Sequence, residues 1–560
     1  MGQEIDLQGW DTVNVVTLDV LNGAISAQKT WPPKFDLDET QAPGGSLGSI
    51  SGDWGPWQIT PGRTGGELEV LCPVVKGTGV DEFGNSHDLA GVELRVEIAL
   101  KTVNDKASNF TDKTADPKVP PPKPAQVLLV DSDSTAQNPA VVVISVTPAK
   151  FRGFSGIFDD WFNANIAAFK HIFHAAMLSE TAAKGDFQWL KPTDYSYAMS
   201  SSVNKKTNIF AVLCATDGDP IGGLSQQIDV NIVKNLPAGC NAVLGISGEK
   251  FCQHILLPGA VKTLHGSQAA DFDIVGNDLV VTNNKDLAWQ DLTLEDGTVV
   301  TPMVPANGLR MRVVEDQIEV EFTGVTFLHP IFVGNDIITI NFTQYYTLNL
   351  AKSPTGEPVL VPEFPTITTS SGTVTKQIIS KAAISVTPDQ KAQDFDRVML
   401  IVTIAFSILP CATGLFKAGQ GLWKVGTAIT AKFTQAAGTG ADLALTADEA
   451  AELSSNAVQG SDNLAAAAAM SANLPADAKL ATLVNRLSMC SGLISALSGV
   501  LYSVNKLDQN GDLDLGSIPA MTDFLANVLG ASKWPGADNW TLQDVELAQS
   551  LLLHGKLDVK

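Results

Sequence analysis

Apolar residues recur at helical spacing along the first patterned stretch, Trp10 to Lys29. Val13, Val16, Val20 and Ala24 carry the spacing, Leu21 lies beside them, and Val15, Leu18 and Ile25 widen the face. This predicts a helix with Asp11 as its N-cap, covered on more than one side and broken by Trp31, Pro32 and Pro33. Residues 34–150 read as β. A turn-rich aromatic block, GDWGPWQITPG at 52–62, precedes a strand over Glu67–Val75. Val92–Val103 alternates, with Val92, Leu94, Val96, Ile98 and Leu100 on one face and Glu93, Arg95 and Glu97 on the other. The proline-rich run 114–124 reads as an extended surface connector, and Val127–Val130 and Val141–Val146 as further strands.

Phe154 to Leu178 gives the clearest helical pattern. Phe154, Ile157, Phe158, Trp161, Phe162, Ile166, Phe169, Ile172, Phe173, Ala176 and Met177 form one stripe. So bulky a face either packs on a sheet or, in part, lines a cavity or greasy groove. Strands dominate again from 186 to 350: Ile209–Ala215, Ile228–Val233, Ile274–Val281, Leu309–Val314, Ile318–Phe327 and Ile337–Leu348. Between them Gly239–Leu257 reads as a helix ended by Pro258. Long alternating strands with few helices and no βαβ alternation predict an antiparallel α+β architecture.

The pattern changes over 390–505. Val398–Phe416 is a 19-residue uncharged run that would span about 28 Å as a helix. Pro410 and Gly414 interrupt it, and Ala-rich stretches follow at 464–470 and over Leu480–Val504. Three readings stay open: a buried helical hairpin, a conditionally membrane-inserting segment and a permanent transmembrane helix. After 511 short β and amphipathic patterns return. The chain thus divides into a first helix-and-β segment (1–150), a second (151–385), an Ala-rich helical insertion (386–510) and a C-terminal segment returning to the body (511–560).

Charge narrows the partners. With 37 Lys and Arg against 60 Asp and Glu, the net charge is −23. That excludes the phosphate backbone of nucleic acid as a partner and disfavours adsorption to anionic lipid. With 44% hydrophobic and 17% charged residues the chain is a folding one. Its 560 residues allow three or four ordinary domains, or fewer large β ones. Cys72, Cys214, Cys240, Cys252, Cys411 and Cys490 include no CxxC pair and read as buried free thiols. The opening MGQEIDLQGW has neither a basic nor an apolar leader region. Synthesis in the cytoplasm is expected, with any release by a route that needs no signal peptide.

Catalytic signals are weak. GGSLG at 44–48 fits the G-x-S-x-G spacing, but a nucleophile elbow needs a strand before Ser46 and a helix after it, and the flanks here are loop-like. His171 and His174 stand three residues apart and could begin a metal site. The nearest carboxylate, Glu180, falls near the helix end, so a polar helix edge is the expected role. DQNGDLDLG at 508–516 opens like a calcium loop but has Leu513 and Pro519 where Gly and Glu are needed, so a surface turn is expected. NFT at 109–111 and 341–343 and NWT at 539–541 match glycosylation sequons, which carry weight only in a secreted chain. No P-loop or dinucleotide fingerprint is present.

Five segments in order resemble a known family: GWDTVNVVTLDVLNGAI (9–25), FDLDETQ with GDWGPWQITPGRTGGEL (35–68), SYAMSSSVNKKTNIFAVLCAT (196–216), ISGEKFCQHILLPGAV (246–261) and the closing WP…LLLHGKL (534–557). The chain resembles the clostridial forty-seven-kilodalton accessory-protein family of the tubular lipid-binding (TULIP) superfamily, encoded beside neurotoxin and insecticidal-toxin genes. The resemblance implies a TULIP-like fold, long helices in highly curved antiparallel sheets with room for an acyl chain between, and no enzymatic chemistry. The Ala-rich region enlarges that pattern.

The first expectation is therefore a non-enzymatic protein that binds a lipid or other apolar ligand, with no cofactor and no metal. Periodicity nominates Val13, Val16 and Val20 on the first helix and Phe158, Trp161, Phe162 and Phe169 on the second as its wall. Burying ten methylenes would contribute about 8 kcal/mol before ordering costs. The second expectation is an interaction subunit or chaperone of a toxin complex, with toxin-cluster proteins as partners. The third is a pore-former using 398–416, whose membrane contact would be transient. A hydrolase built on Ser46 comes last.

Overall fold

A computed structural model gives the fold. It describes residues 5–387 except 41–47, 62–64, 105–123, 134–138, 178–187, 191, 203–206, 265, 290, 291, 294–298, 332, 333, 353–357, 364, 369–373 and 377–380, together with 443–445 and 532–559. The described residues form two compact units. One comprises 5–247, 532–545 and 550–559, the other 248–387, 443–445 and 546–549.

In the first unit a six-stranded antiparallel sheet has the order β12 (Pro192–Ser201), β13 (Asn208–Thr216), β1 (Thr12–Thr17), β14 (Ala242–Ile246), Ser550–Val559, Ala537–Ala548. The chain's start is thus a central strand, where the spacing predicts helix. Thr12–Thr17 is a run of β-branched residues around Asn14, and Val15 pairs with Ala211 on one side and Val243 on the other. Both faces of β1 are buried, so its apolar residues do not alternate and their spacing mimics a helix. The helix α1 begins only at Leu18 and ends at Gln28, with Lys29 left-handed at φ 51°. Asp11 caps no helix. Its carboxylate accepts the Thr216 N–H at 2.6 Å and so ties the start of β1 to the end of β13.

A second sheet runs β10 (Val141–Thr147), β7 (Glu93–Ile98), β5 (Leu68–Val80), β3 (Ser49–Trp54), β2 (Lys34–Asp38), and β4 (Gln58–Thr60) and β6 (Ser86–Asp88) also pair with β5. Ala99 interrupts the long strand expected over 92–103, and the chain continues as β8 (Leu100–Asn104) in a third sheet with β9 (Pro124–Val130), β11 (His174–Met177) and Ser532–Lys533. Helix α1 packs against β1, β4, β13 and Ser550–Val559. Helix α2 (Ser155–Asn165) packs against β2, β3 and β10.

Both helices have eleven residues, so neither is the long helix the resemblance implies. The pattern predicts α2 through Leu178, but the chain passes a short 3₁₀ turn at Ile166–Ala168 and then runs extended into β11. Asn163 and Asn165 turn their amides onto the carbonyls of Asp159 and Trp161, competition that weakens a helix end. Beyond it the Phe173 N–H is taken by the Leu128 carbonyl. Phe169, His171, Phe173 and Ala175 are buried at every second position, so a strand period lay inside the helical one. His171 and His174 are accordingly buried, not a polar helix edge.

The second unit contains an antiparallel sheet in the order Phe272–Val275, Val280–Asn283, Leu309–Val314, Gln317–Ile331, Gly334–Lys352, Lys381–Thr387, Leu443–Leu445. Trp289 stacks on Phe322 with centroids 4.3 Å apart. The strand expected over 274–281 is a hairpin that turns at Gly276, φ 72°. Ile228–Val233 holds a 3₁₀ turn over Val230–Val233 in place of a strand. The helix expected over 239–257 begins at Gly248, widens to a π-turn over Cys252–Leu256, and continues through Pro258 to Thr263. The wide turn lies where a proline ring would clash with an α-helical carbonyl, so Pro258 does not end the helix.

The apolar run 398–416, the Ala-rich stretches, the 386–510 insertion apart from 386, 387 and 443–445, the 508–516 loop and Ser46 lie outside the described residues. Among the described residues no helix is long and apolar enough to cross a membrane.

Candidate functional site

All of the wall residues nominated from periodicity except Val13 belong to one core in the first unit, whose aromatic part lies over a gap left by two glycines. Gly52 on β3 and Gly77 on β5 are cross-strand partners, and Phe35 on β2 pairs with Gly52. With no side chain on either glycine, the Phe35 ring lies over the sheet there. Trp54 packs on Phe35 with centroids 4.5 Å apart and the rings tilted by 45°. Helix α2 lays Phe158, Trp161 and Phe162 on this platform, 5.8, 5.4 and 5.4 Å from Trp54. Trp57 extends the cluster to Phe162 at 5.6 Å and Phe169 at 5.0 Å.

Two polar side chains on α2 hold it in place. The Asn163 amide accepts the Val141 N–H at 3.1 Å and donates to the Val141 carbonyl at 2.9 Å. One turn earlier the Asp159 carboxylate accepts the Val143 N–H at 2.9 Å. These bonds satisfy backbone groups of β10, which would otherwise template a foreign strand. Asn163→Ala should cost about 1–3 kcal/mol, because Val141 loses both partners at once. A urea midpoint shift with unchanged m-value checks this.

Val16 and Val20 belong to the same core as Phe158, Trp161, Phe162 and Phe169. Val13 does not share their face. It lies three residues before Val16 on a strand, so it points to the opposite side, towards Gly245. Sequence reasoning missed Phe35, Trp54 and Trp57 as partners of α2. Their signal was present in the turn-rich block at 52–62, where two tryptophans flank Gly55 and Pro56.

Polar atoms are trapped in this core. The indole N–H groups of Trp54 and Trp57, the Thr30 hydroxyl and both ring nitrogens of His171 are buried without a partner among the described residues. Burial holds the His171 pKa down at about 3. His174 is held at about 3 for the same reason, and its ring lies 5.3 Å from Trp534. A small pocket beside it, between β8, β9 and β11 and the strands β12 and β13, is lined by Thr102, Leu128, His174, Tyr195 and Val212 among others. Burial pushes the Cys214 and Cys252 thiols up to about 12, so both stay protonated. Among the described residues no three His, Cys, Asp or Glu side chains gather as a metal cage.

Comparison with known proteins adds the family. Residues 7–384 match the family model described as OrfX-like, Protein OrfX2/OrfX3/P47. Protein OrfX3 of Clostridium botulinum (strain Kyoto / Type A2) is 25% identical over 303 residues, 48% of this chain and 56% of that protein. Protein OrfX3 of Paraclostridium bifermentans is 24% identical over 395 residues, 63% of this chain and 74% of that protein. The chain thus spans little more than half of the first relative's length and about three quarters of the second's. Crystallised P47 of C. botulinum E1 has the same fold at TM-score 0.56 and 14% identity, covering 98% of this chain and all of that one. P47 of C. botulinum A2 follows at TM-score 0.53 and 15% identity, covering 72% of this chain and 87% of that one.

Proposed function

The chain belongs to the OrfX2/OrfX3/P47 family, and from that premise we propose that it is a non-enzymatic accessory protein of a toxin gene cluster that works by binding a protein partner. The closed aromatic core supports this reading. In a TULIP-like body an acyl chain would lie between helix and sheet. In this chain Phe35, Trp54, Trp57, Phe158, Trp161, Phe162 and Phe169 occupy the space between α2 and its sheet. A body whose interior is filled by its own rings binds through its outside. Its acidity, −23 overall, favours a basic protein over nucleic acid or anionic lipid.

Lipid or another amphipathic ligand is the second reading. It rests on the TULIP-like resemblance, since the pocket beside His174, though lined mainly by apolar groups, has room for about one water molecule. One preparation separates the two. The protein is purified without detergent and extracted with organic solvent, and the extract is analysed by mass spectrometry against a matched control. The proposed function expects a clean extract, and co-elution of the chain with a purified product of a neighbouring gene. Stoichiometric, selectively enriched lipid would put the ligand reading first, with Val13, Val16, Val20, Phe158, Trp161, Phe162 and Phe169 as the wall to retest. Asp substitutions at Trp161 or Phe162 would not serve, since each buries an unpaired carboxylate and reports on folding.

A further inference from the structure

We propose that the segment Phe169–Phe173 is an acid-released latch, which detaches from the aromatic core when His171 takes up a proton and so opens that core to solvent.

The segment joins the end of α2 to β11. Its backbone is tied at two points, Lys170 N–H to the Thr30 carbonyl at 3.0 Å and Phe173 N–H to the Leu128 carbonyl at 2.9 Å. Between these ties His171 enters the core. Its ring stacks towards Phe169, 6.3 Å away, and meets the edge of Phe173 at 5.0 Å. The residue is 1% exposed, and neither ring nitrogen has a partner among the described residues. A neutral imidazole so placed leaves one donor and one acceptor unpaired. An imidazolium would leave two charged donors unpaired among aromatic rings, which costs far more.

Among the described residues no counter-ion faces the ring: burial is the sole cause of the lowered His171 pKa. Lys170, beside it in the chain, is exposed. Phe173 faces Phe210 at 5.9 Å, and Phe169 faces Trp57. At the far end His174 meets Trp534 and Tyr195. The Tyr195 phenol is itself pushed up by burial, with smaller contributions from the Cys214 thiol and the Asp194 carboxylate, so it stays neutral.

The direction of the pH effect follows. His171 titrates near 6.5 when open to water and near 3 when buried. Above pH 6.5 both forms are neutral and the latch is closed at no proton-linked cost. As pH falls below 6.5 only the open form gains the proton, so the closed-to-open ratio drops about tenfold per pH unit, down to the buried value. His174, also near 3, belongs to β11 and is held there by its pairing with Leu128, so His171 alone sets this slope. Opening bares Trp57, Phe162 and Phe169, an apolar surface present only in acid.

Hydrogen exchange read by mass spectrometry on the full chain, corrected for intrinsic rates, tests this. Between about pH 6.5 and about pH 4.5, the segment 169–173 within peptides covering 166–177 should lose about a hundredfold in protection while β11 and β13 keep theirs. His171→Phe keeps the volume and removes the proton, so its 166–177 peptides should hold their protection within a few-fold. Should that variant not fold at neutral pH, His171→Leu replaces it in the comparison. The latch is overturned if the wild type keeps its protection at the lower pH, if protection falls throughout the first unit together, or if the variant opens as the wild type does.

Discussion

Gly52→Val should be among the most disruptive single substitutions in the first unit, costing about 3 kcal/mol or more. A Cβ at Gly52 would come within 2.5 Å of Phe35 Cζ and 2.7 Å of Gly77 Cα, and closer still to the Lys76 carbonyl oxygen. Two of these three obstacles are backbone, so no rotamer change relieves them. The third is the ring against which Trp54 and Phe158 pack. Moving Phe35 therefore shifts the platform under α2. Gly77→Ala should be milder, since its Cβ would meet Phe35 and the Ser51 carbonyl oxygen at 3.0 Å. Chemical denaturation followed by tryptophan fluorescence ranks the two, and Gly52→Val matching or outlasting Gly77→Ala would show that Phe35 is free to relocate.

The same stretch shows what could be read from sequence. Where one face of a strand meets water, alternation located it: Leu309–Val314 has the bounds that its pattern predicts, and Glu93–Ile98 alternates as written. Where both faces are buried, as in β1, the polar positions that would reveal a period of two are gone. The helical reading of 10–17 failed for that reason, and β-branching was the better guide. Phe169–Ala175 misled differently. Its buried positions fit both periods, and only the pairing with β9, a non-local fact, chose between them.

The candidate core was legible in half. The α2 stripe of Phe158, Trp161 and Phe162 was visible because helical spacing puts those rings on one side. What they pack on was not, because Phe35, Trp54 and Trp57 are brought over α2 by a sheet whose register no local pattern encodes. The partnerless state of His171 was also invisible, since an unpaired atom is defined by what surrounds it. A histidine between two phenylalanines at i−2 and i+2 is a hint of burial in a strand, masked here by the helical spacing that continues from α2.

Phe158→Ala tests whether α2 closes a core or lines a vacancy, and should cost about 3–5 kcal/mol. Phe158 is fully buried, with Phe35 at 5.6 Å and Trp54 at 5.8 Å. Its removal forfeits the transfer free energy of a benzyl group and leaves a hole that the neighbouring rings cannot all refill, because Phe35 is pinned above Gly52 and Asn163 pins α2 to β10. If instead the ring lined a groove with space for a ligand, its loss would enlarge an existing opening and cost much less, about 1 kcal/mol or below. The hole itself supplies a second readout. A new cavity bounded by Phe35, Trp54 and Trp161 would be apolar, and a small hydrocarbon such as benzene should then stabilise the variant and leave the wild type unchanged. Equal stabilisation of both proteins would mean that the space was open from the start, and the lipid reading would regain its place.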